Sequence, residues 1–242
     1  PKNAPLLYYQ WKTKDEILKL SPEGIITYKY TPENLFELKN PSFLPSEKEA
    51  ISLLKEILGK LGLQETANLS FRIKIKYFTI GPSVFLPSLK KEEADGLEVQ
   101  ITPFFEDLPI VGSNPEEPLI EARVGRFNKI ISFHAFLFEI EYDQGKTYNL
   151  KPPQEITKEI KEGLGKIVYL ENSPIPPGSL GVISLNQINL NTLILAYFLD
   201  LKNFFLQPIY ILSGSALLEN GETSQAIIYL PAISKIPSIP EP

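Results

Sequence analysis

Apolar and polar residues alternate along most of this chain, and a period of two is the period of a β-strand. The alternation is clearest at residues 69–80, where every second residue from Arg72 to Lys76 is basic. We predict strands at residues 25–30, 36–39, 69–80, 96–105, 119–124, 129–142, 166–170, 182–199, 206–212 and 225–230.

One segment follows a helical period instead. Ser46 precedes Glu49 by three residues, which is the spacing of a capping box, and Gly59 and Gly62 offer a stop. Between these signals the apolar residues fall on one helical face. They are Ala50, Leu53, Leu54, Ile57, Leu58 and Leu61.

A second, shorter helix is predicted after Pro152-Pro153, with Ile156 and Ile160 on one edge and a stop at Gly163.

Each half of the chain therefore contains strands, one helix and further strands. Because an apolar helical stripe can cover one sheet face, we predict an α+β fold of two units, each an antiparallel sheet with one helix packed across one face, PepSY- or cystatin-like. The repeated order of elements suggests a duplication. The predicted units span residues 1–108 and 109–235, and residues 236–242 form an extended tail.

Turn residues divide the strands at two places. The tetrapeptide from Gly125 to Asn128 joins two alternating runs, and Asn220-Gly221 is a dipeptide typical of tight hairpins. Within residues 182–199 the polar residues change parity near Asn191, which predicts a bulge or bend in one long strand.

The amino-acid composition excludes most kinds of side-chain catalysis and metal binding. The chain has no Cys and a single His, His134, in an apolar run. This excludes a thiol nucleophile and a Cys-based zinc site, and it favours a structural, hydrogen-bonded role for His134. Ser179 lacks the spacing of a nucleophile elbow, and no phosphate-binding loop occurs. We therefore expect a protein that is not an enzyme and that has no cofactor and no metal.

Carboxylates leave one catalytic alternative open. Glu139 and Glu141 project from one face of a strand, and Glu106 and Asp107 are adjacent. Such pairs can act on a glycan when their pKa values are driven apart, although a solvated strand face and a turn are the favoured interpretations. A structural subunit of a cell-surface assembly is a further alternative.

The charge of the chain does not indicate a particular class of binding partner. The net charge is −5, and the three basic residues Arg72, Lys74 and Lys76 are interpreted as a solvated strand face without the interleaved aromatic residues of single-strand binders. The longest apolar run, residues 193–199, is too short for a membrane helix. Because the chain begins at Pro1 without Met, we expect it to be a piece of a longer or processed protein.

An amide-rich stripe is the best candidate for a binding surface. It consists of Asn186, Gln187, Asn189 and Asn191, and Tyr197 follows on the same predicted strand. Amide side chains can bind a backbone or a ligand. A solvated edge strand and core packing of Tyr197 are the alternatives. We predict that these five residues contact a protein or peptide partner.

Several motifs resemble those of YycH/YycI-type and related PepSY-like extracytoplasmic proteins. Residues 106–111 read Glu-Asp-Leu-Pro-Ile-Val before a hairpin, and residues 146–152 read Lys-Thr-Tyr-Asn-Leu-Lys-Pro before the short helix. Residues 206–214 read Leu-Gln-Pro-Ile-Tyr-Ile-Leu-Ser-Gly, and residues 228–232 read Ile-Tyr-Leu-Pro-Ala. The similarity covers about residues 95–233.

This resemblance implies a location and a class of function. It implies a bacterial protein that an N-terminal helix, absent from this segment, anchors to the cell membrane, with the present region outside the cytoplasm. It also implies a regulatory or inhibitory role through a protein partner, without catalytic residues and without nucleic acid.

Overall fold

The computed structural model describes residues 8–31, 44–81, 84–141, 148–171, 185–219 and 221–233. These residues form thirteen strands and two α-helices. In chain order the elements are β1 (Tyr9–Lys12), β2 (Glu16–Leu20), β3 (Ile25–Tyr30), α1 (Glu47–Lys60), β4 (Leu69–Ile80), β5 (Phe85–Ser88), β6 (Gly96–Phe105), β7 (Leu108–Val111), β8 (Ile120–Gly125), β9 (Ile130–Phe136), α2 (Pro153–Lys161), β10 (Lys166–Leu170), β11 (Leu185–Asp200), β12 (Phe205–Leu218) and β13 (Thr223–Pro231).

The chain divides into two compact units, and both are discontinuous in sequence. Unit 1 comprises Pro1–Glu106 and Pro118–Glu141, and unit 2 comprises Asp107–Glu117 and Tyr142–Pro242. Unit 1 therefore takes residues 118–141 from beyond residue 108, where the sequence suggests a boundary, and unit 2 begins at Asp107.

Unit 1 is an antiparallel sheet with strand order β1-β2-β3-β9-β8-β6-β4-β5. Its apolar alternation places one side of β6 and β8 in the core, where Leu97, Val99 and Ile101 are fully buried. Helix α1 contacts β6 and buries Ala50, Leu54 and Leu58, which confirms the predicted stripe. The Ser46–Glu49 capping box is also confirmed.

Unit 2 has strand order β7-β11-β12-β13-β10. The pairing of β7 with β11 is parallel, and the other three pairings are antiparallel. Strand β11 changes register between Leu190 and Thr192, so the predicted irregularity near Asn191 is confirmed. Helix α2 places Ile156 in a core cluster with Tyr210, Leu212 and neighbouring residues of β13.

The predicted fold class, an α+β fold of two small antiparallel units with one helix across each sheet face, is wrong. The chain forms a mixed, strand-dominated sheet structure with thirteen strands and only two helices in its described part. The eight strands of unit 1 extend over about 34 Å at about 4.8 Å per strand, whereas a helix is about 10 Å wide. Because α1 can cover only a fraction of such a face, sheet pairing rather than helix packing defines the fold.

Individual elements show where the prediction failed. Strands β1, β2, β5 and β7 are missing from it, and β9 ends at Phe136 rather than at residue 142. The predicted strand at residues 36–39 and the turn residue Asn220 lie outside the described residues. The turn between β8 and β9 is confirmed, since Phe127 and Asn128 adopt φ of 58° and 59°.

Candidate functional site

A groove in unit 2 lies between helix α2 and strand β11. Strand β11 pairs with β12 along its whole length, while β7 pairs only with Tyr197 and Phe198. Residues 186–194 therefore have no strand partner on the other edge among the residues that the structure describes. Most of these side chains are exposed, including Leu193 and Ile194 at 49% and 47%.

Helix α2 is fixed in place by its first turn and by a buried ion pair. Pro152 is the N-cap and Pro153 opens the helix. The Lys151 ammonium, only 7% exposed, donates to the Glu159 carboxylate at 2.7 Å. The Lys151 carbonyl accepts a hydrogen bond from the Tyr210 hydroxyl at 3.1 Å. These contacts tie the last turn of α2 to the residue before its N-cap, and that residue to strand β12.

The groove has a volume of about 660 Å³. Its apolar residues come from both elements and from β12, and they are Pro153, Ile156, Ile160, Ile188, Leu190, Leu193 and Leu212. Polar side chains from the two sides are Thr157, Lys161, Asn186, Gln187, Asn191 and Thr192. The groove thus combines an apolar surface with amide and hydroxyl groups, as peptide and small-molecule sites do.

The structure brings three of the five predicted binding residues together. Asn186, Gln187 and Asn191 line the groove. Asn189 is exposed on the same strand but does not line the groove, and Tyr197 is half-buried farther along β11, opposite Ile110. The residues of α2 that complete the groove were not predicted, because nothing in the sequence places this helix beside β11.

The carboxylates of the catalytic alternative are exposed side chains. Glu106 and Asp107 are exposed in the tight turn between β6 and β7, with φ of 48° and 66°. Glu139 and Glu141 are also exposed, and none of the four lines either cavity described here. Ser179 lies outside the described residues. Within the described part of the chain, no group of three or more His, Asp or Glu residues could hold a metal ion.

A second cavity, of about 490 Å³, lies in unit 1, and sequence reasoning did not find it. His134 of β9 and Glu121 of β8 are direct cross-strand neighbours, and both line it. Arg123 also lines it and contacts two carboxylates, Glu98 at 2.7 Å and Glu121 at 3.1 Å. Burial and the neighbouring Glu98 raise the pKa of Glu121, with Arg123 opposing them.

One feature of the sequence indicated that the polar residues of this cavity share a strand face. Glu121 and Arg123 alternate with Ile120, Ala122 and Val124, so they were recognisable as the polar side of a strand. Their pairing with Glu98 depends on the register of β6 against β8, which no local pattern specifies.

Comparisons with known proteins give no family. No protein-family description, curated protein or solved structure matches this chain. Among the described residues, no helix has the length and apolar character needed to cross a membrane.

Proposed function

We propose that this protein binds an extended peptide segment of a partner protein, which adds as a strand to the exposed edge of β11 beside the groove. The observation that carries the proposal is the edge at residues 186–194, which lacks a strand partner in the described part of the chain and borders an apolar cavity. In strand addition, main-chain hydrogen bonds supply affinity and pockets for alternate side chains supply specificity.

The groove indicates which peptide would fit. The edge extends over about 30 Å at about 3.4 Å per residue, which suits a segment of eight to ten residues. Apolar side chains at alternate positions would pack on Ile156, Leu190 and Leu212. Lys161 has no hydrogen-bond or ion-pair partner among the described residues, so an acidic side chain at that end would be favoured.

The amide groups support the same mode of binding. Asn191 accepts a hydrogen bond from Thr192 at 3.1 Å, and Asn186 donates to the Leu218 carbonyl at 3.3 Å. Gln187 lines the groove without such a contact to another described residue. Its amide can donate to and accept from a peptide backbone.

We further propose that this binding is non-catalytic and regulatory, and that it takes place outside the cytoplasm in a membrane-anchored bacterial protein, as the YycH/YycI-like and PepSY-like motifs imply. Protease treatment of intact source cells tests the location. Cleavage of the native protein on intact cells supports it, and protection until lysis contradicts it.

Display of random ten-residue peptides tests the binding mode. We expect enrichment of peptides with alternating apolar residues and at least one acidic residue. A Thr157→Trp variant fills the groove from an exposed position of α2, and we expect it to weaken an enriched peptide at least about tenfold, or about 1.4 kcal/mol. Isothermal titration calorimetry measures the affinity.

Lys158→Trp is the matched control, since Lys158 is exposed on α2 and does not line the groove. It should leave the affinity unchanged, and backbone amides at residues 186–194 should gain protection from hydrogen exchange when the peptide binds. The absence of any enriched peptide, or equal loss of affinity in both variants, would refute strand addition at this edge.

A further inference from the structure

One face of the unit 1 sheet collects basic residues from four strands. In the β-sheet register, one row runs Lys19, Thr27, His134, Glu121, Gln100, Lys74, and the next runs Lys29, Ser132, Arg123, Glu98, Lys76. Arg72 follows two residues before Lys74 on β4. This cationic face therefore has six basic residues and two carboxylates, although the whole chain has a net charge of −5.

The 490 Å³ cavity lies on this face and has a polar and an apolar side. Its polar side includes Thr27, Lys29, Glu121, Arg123, Ser132 and His134. Its apolar side includes Tyr30, Val84, Phe85 and Ile131. Phe85 is held edge-on against the buried ring of Phe78, with centroids 5.2 Å apart.

We propose that this cavity binds a small organic anion with an apolar body. The anionic group lies at Lys29 and Arg123, and the apolar body lies against Val84, Phe85 and Ile131. The volume is within the range of about 300–1,000 Å³ that is usual for small-molecule sites.

The arrangement of charges determines the sign of the ligand. The side chain of Lys29 has no hydrogen-bond or ion-pair partner among the described residues, so its charge is available to a ligand. Arg123 donates from Nε and Nη2 to one oxygen of Glu98 at 2.8 and 2.7 Å, which fixes the guanidinium at the cavity wall. Glu121 is the single carboxylate among the described lining residues.

The aromatic walls disfavour a cationic ligand. The Arg123 guanidinium lies 5.4 Å from the centroid of Phe85, and the Lys129 ammonium lies 3.3 Å from that of Tyr30. Basic side chains therefore already lie over Phe85 and Tyr30, two of the rings that would attract an organic cation, and a second cation there would be repelled.

Glu121 makes the binding depend on pH. It is faced by Glu98 and Gln100 from β6, His134 from β9, Lys74 and Lys76 from β4, and Arg123 on its own strand, with Lys29 beyond on β3. Burial and Glu98 raise its pKa, so this carboxyl protonates more readily than an ordinary glutamate. Loss of its negative charge removes repulsion of the anion, and binding therefore strengthens as the pH falls.

The test compares two chain-matched probes by calorimetry, octane-1-sulfonate and octyltrimethylammonium, both of which keep their charge between pH 5 and 8. We expect the sulfonate to bind and the ammonium not to bind. Lys29→Gln should weaken sulfonate binding about tenfold, as the loss of one charge-assisted contact does. Lys74→Gln, an exposed change on the same face outside the cavity, should weaken it less than about twofold.

Glu121→Gln provides a second, independent readout. It should tighten sulfonate binding at pH 7 and reduce the gain in affinity between pH 7 and pH 5. Circular dichroism of each variant confirms that it is folded. Equal binding of the two probes, no binding of the sulfonate to the folded wild-type protein, or equal effects of the Lys29 and Lys74 changes would overturn the proposal.

Discussion

Charged side chains that leave solvent in this protein have partners close by. Lys151 lies 2.7 Å from Glu159, and the buried Asp95 accepts a hydrogen bond from the backbone N–H of Ile80 at 2.8 Å. No buried side-chain nitrogen or oxygen in the described part of the chain lacks a hydrogen-bond partner. The Lys151–Glu159 pair bears on the proposed peptide binding because it holds α2, one wall of the groove.

At the residue scale, we predict that Glu159→Gln destabilises the protein by about 3 kcal/mol, because it leaves the Lys151 ammonium buried without a carboxylate. Urea denaturation measures the loss. Combining it with Lys151→Met removes the unpaired charge, so the double variant should be more stable than Glu159→Gln alone.

The exposed ion pair Lys158–Glu162, at 3.8 Å on the same helix, supplies the control. Glu162→Gln should cost less than about 0.5 kcal/mol, since solvated pairs of this spacing contribute little. A similar cost for Glu159→Gln would show that the buried pair is not important for stability.

At the scale of elements, local patterns predicted the strong elements well. The bounds of β3, β4, β6 and β10 agree with the sequence, because each is a run of five or more residues rich in β-branched, aromatic and other apolar side chains. The four-residue strands β1, β5 and β7 were missed for physical reasons. All four residues of β1 are exposed, and β5 and β7 each contain a proline, which is atypical of strands.

The candidate sites were less predictable than the strands. The amide stripe was visible because its four residues fall within six positions of one strand. The groove was not, because it requires α2 to pack beside a strand that begins 24 residues after the helix ends. The unit 1 cavity likewise depends on the register that places Glu98 opposite Arg123.

Gly214 is a position where β12 lies close to the backbone of β11 beside the groove. It pairs with Leu190, and a Cβ at this position would collide with the carbonyl oxygen of Asn189 and lie 2.8 Å from the Leu190 Cα. Because both neighbours are backbone atoms, the two strands would have to separate.

We therefore predict that Gly214→Ala destabilises the protein by at least about 2 kcal/mol and weakens peptide binding to the groove. Thermal unfolding and calorimetry measure the two effects. Ser215→Ala, at the adjacent position with its side chain on the opposite face, should be nearly neutral in both. Wild-type stability in Gly214→Ala would mean that β11 can shift without cost.

At the scale of the whole molecule, each unit depends on segments that are distant in sequence. In unit 1, β8 and β9 connect β6 to β3, so among the described residues the strands before residue 107 pair into one sheet only through residues 118–141. The buried residues Leu97, Val99 and Ile101 of β6 pair with β8 or lie beside it. A chain that ends near residue 108 would lose this partner and expose β3 and β6 along one edge each.

We predict that residues 1–108 alone do not fold cooperatively, whereas residues 1–106 joined to residues 118–141 by a short Gly/Ser linker do. The linker replaces residues 107–117, which belong to unit 2, and a flexible connection of this kind costs little free energy. Thermal unfolding followed by circular dichroism distinguishes a cooperative transition from a gradual one.

A joined chain that carries Val99→Asp is the control and should remain unfolded, because the new carboxylate would be buried without a partner. Cooperative unfolding of residues 1–108 would instead place an independent folding unit in the first part of the chain, as the pattern of strands, helix and strands in the sequence suggests.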